Sequence, residues 1–176
     1  MAEIRLGLFF GLIPCYFGAM RHAVSLNTDS YQDWDGLLAL LNKAFAFMEG
    51  RIDPPSSLLR MTAESLKQKA TEEDLFLITQ DSLPIACLFG HPQQTEYYIG
   101  KLAVDRRHRG TGLARQLLDA AAQEAVRRGL KGLCLQTRVE LRENHRTFRA
   151  MGFHLVGASA HPGHAQATSL TFRRPL

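Results

Sequence analysis

The stretch Leu102 to Gly129, LAVDRRHRGTGLARQLLDAAAQEAVRRG, decides how the chain is read, because it lays out a strand, a glycine turn and a helix in that order. Gly110 and Gly112 let the backbone turn tightly and approach a ligand closely. Their amides and the first N–H groups of the helix converge on one place, where the positive end of the helix dipole favours an anion. Arg106, Arg107, His108 and Arg109 precede the turn and Arg115 follows one turn into the helix, so cationic or ionisable side chains surround those amides. Such a collection suits a pyrophosphate or several phosphates better than a lone carboxylate. Leu113, Leu117, Leu118, Ala121 and Ala125 recur at helical spacing as a buried stripe, and Gly129 stops the helix.

Two common phosphate motifs do not fit. A dinucleotide fold wants Gly-x-Gly-x-x-Gly near its first strand, whereas Arg115 stands in the third glycine's place, late in the chain. A Walker loop ends in Gly-Lys-Ser or Gly-Lys-Thr, whereas Leu113 and Ala114 follow Gly112. What fits is an ordered combination: the strand Leu102-x-Val104, then Arg107-x-x-Gly110-x-Gly112, and a helix and a strand later Asn144, Phe148 and Gly152-Phe153. With these residues the chain resembles the GNAT family of N-acetyltransferases. The likeness runs from Ala23 to Arg173 in element order, and its specific motifs lie between Tyr98 and Phe153.

The resemblance implies a fold of the α/β (α+β) kind, with a mixed, mostly antiparallel central sheet of about six to seven strands and about four flanking helices. It implies acetyl-coenzyme A as cosubstrate, no metal, and transfer of the acetyl group to an amine of a small molecule or peptide. Homodimers are common in the family. By the same resemblance, Leu102, Ala103 and Val104 offer backbone groups to the pantetheine arm and the thioester carbonyl. Arg107, His108, Arg109, Gly110, Thr111, Gly112 and Leu113, continuing into Ala114 and Arg115, hold the pyrophosphate. Leu102 and Val104 read equally well as core residues of a strand, and both readings hold together.

The order of elements agrees with that architecture. A short strand is expected over His22 to Ser25, then an amphipathic helix from Asp33 (Trp34, Leu37, Leu38, Leu41, Phe45, Met48) to Glu49-Gly50. After Pro54-Pro55 a second helix starts at Thr62 and runs through Lys69. Strands follow over 75–79 and 84–91, turning at Gln80-Asp81-Ser82, then over 96–104 ahead of the glycine turn. Beyond the long helix come a strand over 133–137, a short helix over 143–151 and two last strands over 153–159 and 168–173.

Composition narrows the rest. At 176 residues, 45% hydrophobic and 22% charged, the chain suits one domain, read as residues 20–176. The net charge of +4 and pI near 9.2 are compatible with nucleic acid, yet the densest basic run is the glycine turn itself and no arginine-rich tail accompanies it. The excess is therefore read as directed at the ligand. Cys15, Cys87 and Cys134 are odd in number and widely spaced, which indicates neither a disulfide framework nor a zinc site and points to reduced thiols in the cytoplasm. Leu6 to Met20 are uncharged, but Gly7, Gly11, Pro14 and Gly18 interrupt them, and the run is short for a membrane span. It lacks the small-x-small ending of a cleavage site. Residues 1–19 are thus read as an extension from an early start codon, Met20 being the natural start; if translated, their apolar side chains need a groove or a dimer contact.

The chemistry requires an unprotonated amine, a donor for the developing oxyanion and a route for the thiolate to leave. Many family members carry a tyrosine four residues before the Gly-Phe pair, where this chain has Phe148, which has no proton to give. The Thr147 hydroxyl, a water or departure into solvent then takes its place, and Phe148 is left to pack on the cofactor or in the core. The same residue favours the alternative of a non-catalytic acyl-coenzyme A sensor or interaction module. Asn144 lies one turn earlier on the same face, suited to a pantetheine amide or to capping the helix.

The loop from Glu49 to Ser57 joins the first two helices, the region that forms the acceptor wall in the family. There Arg51 is the candidate for holding a carboxylate or phosphate of the acceptor, and Glu49 or Asp53 for holding its ammonium or taking its proton. Each reads equally as part of a solvated loop. Glu140 is a further candidate base, with a surface salt bridge as the plainer reading. In His161-Pro162-Gly163-His164 no third ligand follows at useful spacing, so His161 is read as reaching the acceptor cleft and not a metal. Cys134 reads as a small buried residue, which leaves direct transfer from thioester to amine without an acyl-enzyme. The proline-stiffened loop hints at a closed pocket and a small metabolite over a peptide.

Overall fold

A computed structural model describes residues 22–27 and 30–176; the segment 1–19 lies outside the described residues. Seven strands form one sheet in the order β1-β2-β3-β4-β5-β7-β6. β1 (Ser25–Leu26), β2 (Asp74–Gln80), β3 (Leu83–Gln93) and β4 (Glu96–Val104) are antiparallel neighbours in turn. β5 (Gly132–Arg138), β6 (His154–Ser159) and β7 (Ser169–Pro175) make the other half, with β7 between β5 and β6.

The two halves meet at a short parallel seam. β4 pairs with β5 only where Tyr97, Tyr98 and Ile99 face Leu133, Cys134 and Leu135. Past Ile99, β4 keeps its β3 partner up to Val104, and past Leu135, β5 keeps its β7 partner up to Arg138. The two central strands therefore separate, leaving backbone groups of residues 100–104 and 136–138 facing a gap. A bulge lies in the same stretch of β4: its register against β3 shifts between Cys87 and Phe89, and Lys101 takes a φ of +49°, a conformation side chains adopt at a cost.

Helices cover both faces. α1 (Trp34–Phe45) and α2 (Ala63–Glu72) pack through Leu37, Leu41 and Leu66 on one face, against Leu75, Leu77 and Phe89. α3 (Leu113–Arg127) buries Leu117, Leu118 and Ala121 on the other, against Phe76, Leu88 and Tyr97. α4 (Arg142–Ala150) contributes Phe148 to that second core, edge-on to Phe153 with ring centres 5.9 Å apart.

The helix starts differ in kind. Asp33 caps α1 by accepting from the Gly36 amide at 2.9 Å. Thr62 and Ser65 cap α2 reciprocally, each side chain accepting from the other's backbone amide. α3 starts at Gly112 with no side-chain cap, so the amides of its first turn stay open. This difference positions the site.

The structure moves several sequence-based boundaries: α2 runs on to Glu72, β3 to Gln93 and β7 to Pro175, and two further shifts have a local cause. The first strand is Ser25–Leu26, shifted from 22–25, because Asn27 ends its ladder: the Asn27 side chain accepts from the Leu75 amide at 2.7 Å and donates to Asp74 at 2.6 Å. The first helix ends at Phe45 and continues as a tight 3-10 turn over Ala46–Met48, after which Gly50 turns the chain at a φ of +67°. Among the described residues no helix is long and apolar enough to cross a membrane, and no group of three His, Cys, Asp or Glu side chains is placed to hold a metal ion.

Candidate active site

The gap between the parting strands opens into a cleft of about 1430 Å³ that runs from the start of α3, through the seam, to the loop between α1 and α2. Leu102, Ala103 and Val104 form one wall, and the opposite wall is Gln136, Thr137 and Arg138. His108, Arg109, Gly110, Gly112, Leu113, Ala114 and Arg115 line the end nearest α3. Both glycines are at positive φ, +79° and +90°, and a Cβ on either would meet no protein atom within 4 Å. The room a side chain would occupy there is thus room for a ligand next to the uncapped amides.

The basic residues around the turn divide into two groups. Arg109 lies against the cleft, its Nη2 donating to the Ala44 carbonyl at 3.2 Å, and Arg115 donates to the Ala150 carbonyl at 3.4 Å, which ties α3 to α4. His108 is 3.0 Å from the Gln80 side chain and 3.5 Å from Asp105. Arg107 is 81% exposed, pairs with Asp105 and stands outside the cleft lining, as do Arg106 and Thr111, whose hydroxyl donates to the His108 carbonyl at 2.6 Å. Asp105 itself caps the turn before the glycines: its carboxylate accepts from the Arg107 amide at 2.9 Å, and that bond, with the Arg107 guanidinium, holds it below the usual carboxylate range.

On α4, Asn144, Thr147 and Phe148 face the cleft. The Phe148 ring is half-buried and packs on Phe153 and Phe172 as well, so its core and cleft roles coincide. Thr147 donates back to the Glu143 carbonyl at 3.0 Å. Asn144 is in the first turn of α4, two residues past its start, and does not cap it.

The far end of the cleft is built from segments distant in sequence. Phe45, Phe47, Met48, Ile52 and Leu59 supply apolar wall. Arg51 lines it and pairs with Glu143 of α4 at 2.7 Å; the Glu143 carboxyl is held down by its own backbone amide and by that guanidinium. The Asp53 amide donates to Glu140 at 3.3 Å, and the Asp53 side chain lies 3.9 Å from His164. The α1–α2 loop is thereby tied across the cleft to the start of α4 and to the β6–β7 loop. Glu49, Asp53 and Glu140 are not among the lining residues, whereas His161 is. The His161 ring lies 3.1 Å from Arg138 Nη1 and is hydrogen-bonded to Thr168, whose hydroxyl also accepts from the His161 amide at 2.9 Å.

Six charged lining residues have no site role in the sequence reading: Arg60, Lys69 and Glu73 around α2, Lys101 of the β4 bulge, Arg138 at the end of β5 and Glu143 of α4. Lys69 and Glu73 form an i,i+4 ion pair, a spacing readable in the sequence, but nothing there says that the pair faces β4. Cys134 is 7% exposed, and burial pushes its thiol up to about 11, which makes it a poor nucleophile at neutral pH.

The comparisons with known proteins agree with this geometry. The profile of the family described as "Acetyltransferase (GNAT) family" matches residues 34–153. No curated protein sequence matches the chain. Among solved structures, the PaiA N-acetyltransferase of Thermoplasma acidophilum, in complex with coenzyme A, superposes with a TM-score of 0.72 at 10% identity, covering 88% of this chain and 99% of that one. A GNAT family acetyltransferase from Elizabethkingia anophelis with acetyl-CoA bound gives 0.60 at 18% identity, covering 88% and 97%. The ribosomal-protein-S18-alanine N-acetyltransferase of Escherichia coli gives 0.58 at 17%, covering 87% and 94%. An open helix start beside a parted pair of strands, within a stretch that the family profile spans, makes this chain a member of the GNAT family and an acetyl-CoA-dependent N-acetyltransferase.

Proposed function

We propose that the chain acetylates a small-molecule amine by direct attack on the thioester, with acetyl-coenzyme A entering from the α3 end and the amine from the α1–α2 loop. The observation that carries this reading is the single continuous cleft whose one end is open backbone and whose other end is an apolar pocket roofed by a tethered loop. The uncapped amides after Gly110 and Gly112 hold the pyrophosphate, with Arg109 and Arg115 beside them. Residues Leu102 to Val104 offer the backbone groups of their β5-facing edge to the pantetheine arm, and Asn144 adds a side-chain amide.

In the transfer, the amine lone pair forms the new C–N bond as the C–S bond breaks, and the electron pair leaves on sulfur. An oxyanion developing on the thioester carbonyl meets a β4 amide on the way. The nitrogen's extra proton passes to His161 or to water, and the thiolate takes a proton from solvent, since Phe148 carries none and Thr147 is turned toward Glu143. Arg51 and the roofing loop bear on the acceptor. A roof tied at Arg51–Glu143 and Asp53–Glu140 favours a metabolite over a protein chain. We place the enzyme in the cytoplasm, in keeping with the unbridged thiols of Cys87 and Cys134.

The test is thermal melting with acetyl-coenzyme A, coenzyme A, ATP and NADH in parallel. A ligand at about a hundred times its dissociation constant stabilises a fold by roughly 2.7 kcal/mol. Stabilisation by both coenzyme A forms alone, followed by amine-dependent thiol release, is the expected result; an equal shift with ATP would reduce the glycine turn to a general anion seat.

A further inference from the structure

We propose that the acceptor carries a carboxylate close to its amine, and that Lys101 is the residue that selects it. This inference rests on the acetyltransferase reading and deepens it by assigning the acceptor's chemical class.

Lys101 sits in the β4 bulge, immediately before Leu102, where the strand has left β5 and its backbone faces the gap. A bulge re-aims a side chain, and here it does so at φ +49°, with Gly100 standing next door. A lysine at a position that glycine would occupy without strain suggests that its side chain is needed there. The Lys101 side chain lies on the α1–α2 face of the sheet and lines the cleft beside Tyr98, Lys69 and Glu73.

The charges at this end do not balance. Lys69 and Glu73 neutralise one another as an ion pair, with the Lys69 ammonium also 5.7 Å from the centre of the Phe89 ring. The charged groups acting on Lys101 are these same two, and among the described residues no carboxylate pairs with its ammonium. Burial and the neighbouring Lys69 charge weaken its hold on its proton, and the Glu73 carboxylate, already paired with Lys69, offsets them only in part. A half-buried cation without a partner is costly, and a carboxylate arriving with the substrate removes that cost. Arg51 of the α1–α2 loop already has a carboxylate partner in Glu143. Lys101 directly precedes the wall that Leu102 to Val104 present to the thioester and is the cation bordering it, so a carboxylate held by it leaves an amine one or two bonds away facing the reaction. The apolar wall of Phe45, Phe47 and Met48 is suited to the rest of such a molecule.

The experiment compares matched acceptors on the full chain with acetyl-coenzyme A, following thiol release: L-phenylalanine and L-methionine against their amides and against 2-phenylethylamine. The acids are expected to exceed the amides and the amine at least tenfold in kcat/KM. Lys101→Met, which keeps the same backbone demand at φ +49°, is expected to collapse that ratio to near unity while coenzyme A still stabilises the fold, and Lys101→Arg to restore most of it. Equal or better turnover of the neutral compounds by the wild-type protein would overturn the inference. So would an unchanged ratio in Lys101→Met, or no turnover of either acid by a protein that coenzyme A stabilises. Failure of coenzyme A to stabilise the wild-type protein would instead strike the acetyltransferase reading itself.

Discussion

The two ends of α3 have opposite chemistry. At its start, Gly112 supplies no cap, and the first-turn amides face a cleft. At its end nearly every group is used. The Gly129 amide donates to Val126 and the Leu130 amide to Ala125, a Schellman closure, and the Glu124 carboxylate receives both Arg127 and Arg128. Arg128 reaches on to Asp74 at 2.6 Å and lies 5.6 Å from the centre of the Tyr97 ring, fastening the helix to β2 and β4. One end keeps donors for a ligand, and the other spends its groups on holding the fold. Function and stability can therefore be perturbed separately within a single helix.

The largest effect expected from that contrast comes from a pair of glycine variants. Gly112 and Gly129 are both at positive φ, +90° and +71°, and neither has a protein atom within 4 Å of its Cβ position. Gly112→Val and Gly129→Val should thus cost similar backbone strain, of order 1–2 kcal/mol. Only Gly112→Val should abolish stabilisation by coenzyme A in a melting experiment. Equal loss in both would mean that strain, and not the occupied ligand space, is responsible.

Next in size is Glu124→Gln. Arg127, opposed by burial and aided by Arg128, holds the Glu124 carboxyl down at about 2, against an ordinary 4.5. A carboxyl lowered by folding adds stability that is fully present above the unfolded value and is lost as the pH falls through the folded one. Wild-type stability should therefore decline between about pH 4.5 and 2. The variant should lose about 1–3 kcal/mol at neutral pH and show less of that decline, with coenzyme A binding intact. A flat difference between the two proteins across acid titration would contradict the assignment.

Variants in the cleft should do the reverse and leave melting nearly unchanged. Arg51→Ala removes a pair with both partners more than 40% exposed, worth little to stability. It should raise the acceptor KM about fivefold, equivalent to roughly 1 kcal/mol, without altering the KM for acetyl-coenzyme A. A defect confined to acetyl-coenzyme A would detach Arg51 from the acceptor. The smallest change is Phe148→Tyr, which should leave cofactor binding alone and preserve or raise kcat. A large fall in kcat would show that the ring's packing on Phe153 and Phe172 tolerates no hydroxyl.

The same division decides what could be read from the sequence. The proposed cofactor end is local: a strand, two glycines and a helix start within Leu102 to Arg115 form it by continuity, and local chemistry is what a sequence displays. The elements were legible for the same reason, since β4 and α3 carry their own periodicity and stops. The proposed acceptor end joins α2, the β4 bulge, the end of β5 and the β6–β7 loop, which meet only through the sheet order. Nothing in the sequence around Glu73 or Lys101 places either of them at that end. The bulge that turns Lys101 is set by pairing with Cys87 and Phe89, a relation that Lys101's own neighbours do not announce. Glu49 and Asp53 are carboxylates of the α1–α2 loop and Glu140 one of the segment after β5, but which loop side chains line the cleft depends on the ties made by Glu140, just before α4, and Glu143, within it.

A sheet ordinarily keeps its unsatisfied rims at its borders, where they invite another chain to add on and drive aggregation. The parting of β4 from β5 gives this sheet two such rims in its middle. They are short, closed at one end by the Tyr97–Ile99 pairing and overhung by α3, α4 and the tethered loop. A slender chain bearing its own amides can pair with rims so short and so covered, whereas a neighbouring sheet edge has little length to add on to. The molecule thus carries an adhesive seam inside its sheet and not along its border.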